Sequence, residues 1–474
     1  MAVDWSEEVN SSAAGSPSRR RGRRLFWWVI LTPLAALILF GVSLRHHWRA
    51  EFHKRVEAIR AAGFPVTSQE LDAWYPWPQM GQNAAQWVFG ADECCFKLGQ
   101  QKDSRQLEQL VSRGAERVGP TEPMPDDLKA LLERHIESNA KALGMLHEAA
   151  AIAECRYPVD LSTTPTTLNH IAIVRDACLL LSLEAVLCAE RKDPNGAAAA
   201  IEAALGVARS LDNEPVMGSQ MVRMWSSVWA ATALERALCQ VEFTDGQLAR
   251  LRHAFGSIHA SDGLLRALAG YRCMLLVAFE KPQALDEQSW GRLPPVPLLE
   301  AYDALGLSAR EGAIFLDYMD ECIRTARLSA FQRLGAIQTV DAHYPRRGVV
   351  LLMSKIGPLS RHIQLDAKGA AWLDMAVTAL GVQRHRLAQG RPPETLDQLV
   401  PTYLEAVPED PFDGKPLRYE RLGRGFVVYS VGEDGRDDGG AEETSKEMNR
   451  AGRTWDLVFT VERPSPPKEN AGTQ

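Results

Sequence analysis

The segment Tyr429-Ser430-Val431-Gly432-Glu433-Asp434-Gly435-Arg436-Asp437-Asp438-Gly439-Gly440 sets four carboxylates among four glycines directly after an apolar run. Hard oxygens on a tightly turning backbone suit calcium, which takes about six to eight of them. Gly432, Gly435, Gly439 and Gly440 can adopt the positive φ that folds such oxygens inward. The segment is not an EF-hand, because Arg436 occupies its third position counted from Asp434 and no glutamate stands at its twelfth. A solvated hairpin loop whose Asp and Gly serve turn geometry alone is the competing reading.

The loop closes a longer ordered set: Gly390-Arg391-Pro392-Pro393, then 396–400, then Asp410-Pro411-Phe412-Asp413-Gly414-Lys415-Pro416, then 426–431 and 432–440. In this order the pieces resemble the C-terminal half of the major pseudopilin of type II secretion. The resemblance covers about residues 370–460. It implies a helix ending in a Gly-Arg-x-Pro turn, a short second helix, strands and a calcium loop. It also implies that Asp434 takes the first carboxylate position and that Asp437 or Asp438 supplies another, with main-chain oxygens around Val431 and Glu433 as further ligands. Glu442, Glu443 and Asp456 are nearby acids that could complete the set. The N-terminus departs from that family: Gly22 is followed by Arg23-Arg24-Leu25-Phe26-Trp27, without a glutamate at the fifth position of a phenylalanine-led helix.

Other chemistry is sparse in the sequence. There is no H-E-x-x-H, G-x-S-x-G or Walker loop, and Gly423-Arg424-Gly425 lacks the third glycine of a dinucleotide site. His46 and His47 sit beside the apolar run, where headgroup contact is the expected role. The cysteines Cys94, Cys95, Cys155, Cys178, Cys188, Cys239, Cys273 and Cys322 show no zinc-ligand spacing, and most lie in apolar helical sequence as small hydrophobes. A net charge of −7 gives no general attraction to phosphate, so nucleic acid is not an expected partner.

The elements that must hold the loop begin at a membrane. Arg19-Arg20-Arg21-Gly22-Arg23-Arg24 precedes residues 25–44, which carry no charge. As a helix that run rises roughly 30 Å, the thickness of a bilayer's hydrocarbon core. Trp27, Trp28 and Trp48 mark its ends, as interfacial rings do. No small-x-small cleavage site follows, so a retained single-pass anchor in a bacterial inner membrane is expected. The arginines are denser before the span than after it, which places the N-terminus in the cytoplasm and the bulk of the chain outside it. A loop binding calcium at about 0.1–1 mM works there.

Between anchor and loop the patterning is helical. Residues 1–24 read as a disordered basic tail, 45–160 as a helical stalk and linker, and 161–360 as a helical domain. Residues 361–462 form the pseudopilin-like α+β unit, and 463–474 a disordered tail. Prolines within 281–297 predict a loop, while 126–154 and 312–334 each read as one helix. Asp193-Pro194 is a helix start, and the pair it joins resembles a tetratricopeptide hairpin. Met217, Met221, Met224, Trp225, Val228 and Leu238 recur at helical spacing as core, with a binding groove as the alternative. Gly423-Arg424-Gly425 joins two strands, and Trp455, Leu457, Phe459 and Val461 alternate into a third. The expected fold is mainly α: an N-terminal transmembrane helix, an irregular helical bundle or α-solenoid-like body, and a small α+β unit with a three-stranded antiparallel sheet.

The expected function is a membrane-anchored, non-catalytic envelope protein. Its calcium-stabilised module would serve binding or assembly with secretion proteins. A membrane-anchored hydrolase with its site in the helical domain, and a helical peptide-binding scaffold, are the alternatives.

Overall fold

Arginine is a good helix former, and helix α1 (Ser18–Ala61) begins one residue ahead of the basic cluster and includes all of it. It runs unbroken through the apolar stretch and into the body. Residues 18–24 are therefore helix rather than tail, and anchor and stalk are one element. The computed structural model describes residues 18–97, 101–113, 118–161, 168–259, 262–285, 293–344, 351–441 and 456–462. The rest of the expected N-terminal tail, the 463–474 tail, and Glu442, Glu443 and Trp455 lie outside the described residues. Within α1, residues 26–40 are exposed throughout, whereas Phe52, Val56 and Ile59 are buried. The helix is long and apolar enough to cross a membrane, with none of its apolar window covered by protein.

The chain is mainly helical. After α1 come α2 (Ser68–Trp74), α3 (Ala85–Cys94), α4 (Gln101–Glu108), α5 (Asp126–Ser138) and α6 (Ala140–Ala151). The 126–154 segment is thus two helices. Asn139 divides it, because its buried amide bonds the Phe96 N–H at 2.7 Å, the Phe96 carbonyl at 3.2 Å and the His135 carbonyl at 2.9 Å. Then follow α7 (Asn169–Glu190), α8 (Pro194–Arg209), α9 (Met217–Gln240), α10 (Asp245–His259) and α11 (Gly263–Glu280). Asp193 caps α8, accepting the N–H groups of Asn195 and Gly196 at 3.0 Å, and Pro194 takes the first turn. Helix α7 is apolar on most sides because α8 and α9 both pack on it. The methionine stripe of α9 is core: Met217, Met224, Val228 and Leu238 are all buried.

Next are α12 (Val296–Ala304), α13 (Leu307–Ala326), α14 (Ala330–His343) and α15 (Ser360–Gln389). The expected 281–297 loop ends early, since Pro297 falls in the first turn of α12, where its missing N–H costs nothing. The 312–334 helix is interrupted at Ser329, which caps α14 by accepting the Gln332 N–H. Helix α15 ends at Gly390, whose φ of 72° makes a left-handed C-cap.

The sheet is a three-stranded antiparallel meander of β1 (Arg418–Leu422), β2 (Gly425–Ser430) and β3 (Leu457–Glu462). The register pairs Phe426 with Val461 and Val428 with Phe459, and these four residues join the main core. Val427, Tyr429 and Val458 form a small cluster on the opposite face. That main core runs from Leu71 to Val461 and includes side chains of α7, α8, α9 and α15. A second core joins α1, α11, α13, α14 and the start of α15. Helix α15 contributes to both cores and carries the sheet on its side.

Candidate functional site

The loop after β2 takes its shape from local glycines and one distant carboxylate. Gly432, Gly435, Gly439 and Gly440 all adopt positive φ, at 69°, 66°, 71° and 71°. Asp410, fully buried in the turn before β1, fixes the loop's first residues. Its Oδ2 accepts the Val431 N–H at 2.8 Å and is paired with Arg418 at 3.1 Å. Its Oδ1 accepts the Ser430 hydroxyl at 2.9 Å and the Phe412 N–H at 3.0 Å. The Asp410-to-Pro416 turn and the acidic loop are thereby one folded unit.

The expected ligands separate into two groups. Glu433 points to α15 and pairs with Lys368 at 3.0 Å, and Asp434 accepts the Arg436 N–H at 3.1 Å in a local turn. Val431 is buried on the Asp410 side. Asp437 and Asp438 come together with Asp456, the residue that leads into β3. Asp456 accepts the N–H of Gly440 at 2.8 Å and of Asp438 at 3.1 Å. Asp437 accepts the Tyr429 hydroxyl at 3.2 Å and the Gly439 N–H at 3.0 Å. Burial raises the pKa of Asp456, and the nearby Asp437 and Asp438 add to the rise against the two N–H bonds. A cation beside these acids would relieve that repulsion. Among the described residues, no group of three or more His, Cys, Asp or Glu side chains is arranged to hold a metal ion.

A second feature was not foreseen from sequence. A cleft of about 720 Å³ opens between α9, α11, α14, α15 and residues 406–409. Its walls carry Arg223, Arg327, Arg333, Asp262, Asp366, Asp374 and Glu409, with Met224 and Leu264 as apolar patches and no histidine in the lining. Arg333 pairs with Asp366 at 2.5 Å and Arg223 with Asp212 at 3.0 Å. Burial lowers the Arg223 pKa, while Asp212 and Asp366 oppose that shift. The contributors lie on elements well over a hundred residues apart, so no local spacing marks the cleft.

The interior also holds carboxylates engaged in holding the fold. Glu214, fully buried, meets His170 at 2.9 Å and accepts the Ser219 and Tyr75 hydroxyls. Ser219 therefore bonds the carboxylate and not the imidazole, which is not the order of a nucleophilic triad. Glu311 receives three successive N–H groups, from Leu351, Leu352 and Met353. Glu235 pairs with Arg113 at 2.7 Å and accepts the Thr460 N–H at 2.6 Å. All eight cysteines are free, and burial pushes the thiols of Cys155, Cys178, Cys239, Cys273 and Cys322 up to about 12. Comparison with protein-family models, curated proteins and solved structures gives no match.

Proposed function

We propose that this chain is a single-pass protein of the bacterial inner membrane whose extracytoplasmic body serves binding or assembly in the envelope, beside secretion proteins. Its C-terminal unit is pseudopilin-like and is stabilised by calcium. The observation that carries the calcium reading is the meeting of Asp437, Asp438 and Asp456 on a backbone turned by four positive-φ glycines. Asp437 and Asp438 with Asp456 would hold the ion. The ion's role is structural: it ties the loop to the start of β3. The reading is tested by thermal unfolding of the full chain in detergent with millimolar calcium or with chelator. Saturation at about 100 times Kd adds roughly 2.7 kcal/mol, and the D437N/D438N variant should lose that gain. An identical midpoint under both conditions removes calcium from the account.

The charged cleft favours a second reading, a membrane-anchored hydrolase. Four carboxylates and three arginines around about 720 Å³ could bind and act on a small charged substrate.

A further inference from the structure

We infer that α12 is a second membrane contact: its outer face lies on the lipid surface beside the anchor and fixes the body's tilt on the bilayer. The inference rests on the reading of residues 25–44 as a bilayer span. At 3.6 residues per turn, Pro297, Leu298, Ala301, Ala304 and Leu305 fall within about 120° of one helix face. That face is exposed throughout and carries no charge. Leu298 is 61% and Leu305 48% exposed, and the exposed Glu300 borders the face on the side toward Val296. The opposite side, through Leu299, is buried in the body.

The position of this face identifies its occupant. A Cβ built at Gly41 would lie 3.8 Å from the Leu305 side chain. Gly41 is within the uncharged run, about 4.5 Å short of its end at a rise of 1.5 Å per residue. Leu305 thus sits level with the outer margin of the hydrocarbon. The placement is fixed by close packing and charge: a Cβ at Gly306 would approach the Arg45 Cα to 2.6 Å. Asp303 is paired with Arg49 at 3.0 Å and lies 3.8 Å from Arg45. Both arginines directly follow the span, and Trp48 lies within 5.7 Å of the Arg310 guanidinium. A short helix with an apolar outer face, held by arginines at the level where a span leaves the bilayer, meets lipid interface by geometry.

The test places a diazirine amino acid singly at Leu298, Leu305, Leu37 or Asp397 in the full chain. The protein is reconstituted in vesicles of phosphatidylethanolamine and phosphatidylglycerol, irradiated, and analysed by mass spectrometry. Leu37 is the control within the span, and Asp397 is an exposed position in the turn after α15. Lipid adducts at 298 and 305 about tenfold or more above those at 397 are expected. Adducts at 37 with 298 and 305 at the level of 397, or cross-links from 298 and 305 to polypeptide in place of lipid, overturn the inference. Release of the chain by carbonate together with no lipid adduct at 37 identifies failure of the anchor itself, and the α12 contact falls with it.

Discussion

At the scale of single residues, the acids of this protein divide by what faces them. Asp456 has a raised pKa because it is buried near Asp437 and Asp438. Its folded state therefore holds its proton to higher pH than the unfolded chain. Stability from this group falls as pH rises from the ordinary carboxylate range through the raised value, and the cost persists above it. D456N should thus raise the unfolding midpoint in chelator near neutral pH and abolish any response to calcium. The amide oxygen still accepts the Gly440 N–H, so opposite signs in the two buffers separate repulsion from ligation. Apparent calcium affinity of the unaltered protein should weaken as pH drops through the raised Asp456 value, measured by titration calorimetry. Glu235 is the contrary case, a buried carboxylate fully matched by Arg113. E235Q removes the carboxylate that faces this buried guanidinium and should cost about 3 kcal/mol in urea unfolding. The R113M/E235L pair should recover much of it, since removing both charges together avoids the penalty of removing one.

At the scale of elements, the sheet edge and the stalk show how pieces are joined. The outer edge of β3 is closed by side chains of the helical body: Glu235 takes the Thr460 N–H, Arg113 the Val458 carbonyl and Cys239 the Thr460 carbonyl. An edge covered in this way does not template another strand. What was legible in the sequence follows from range. The helix start at Asp193-Pro194, the cap at Gly390, the hairpin at Gly423-Arg424-Gly425 and the four loop glycines are local, and spacing alone indicates them. The hubs at Asp410 and Glu235 join residues from 20 to 225 positions apart, and nothing in either neighbourhood shows that reach. The break at Asn139 was hidden for the same reason, because its partner is Phe96. The stalk depends on a small residue, since a Cβ at Gly312 of α13 would lie 2.6 Å from the Phe52 ring of α1 and 2.9 Å from Phe279. G312V should cost about 1–3 kcal/mol by overpacking and loosen α1 from the body. The measurement is limited proteolysis, with cleavage expected to rise sharply near residues 62–64, where α1 gives way to a turn.

For the whole molecule, the question is whether the C-terminal unit behaves as a detachable module. The proposed pseudopilin-like unit spans about residues 370–460, yet α15, which carries the sheet, also packs against α9, α10 and α14. Phe426, Val428, Phe459 and Val461 share one continuous core with Leu71, Val174 and Leu234. Removing the sheet would uncover the apolar sides of α9 and α15, so the parts are thermodynamically coupled. Calcium bound at the loop should then raise the stability of the body as a whole, not that of a small separate unit. Near 60 °C an unfolding entropy of about 2.1 cal/mol/K per residue converts a gain of roughly 2.7 kcal/mol into a shift of about 3 °C for a chain of this size. Scanning calorimetry is expected to give one main transition that moves by that amount between chelator and saturating calcium. A small early transition that alone moves, with the main peak fixed, would mean that the sheet melts independently and that the shared core does not couple the loop to the body.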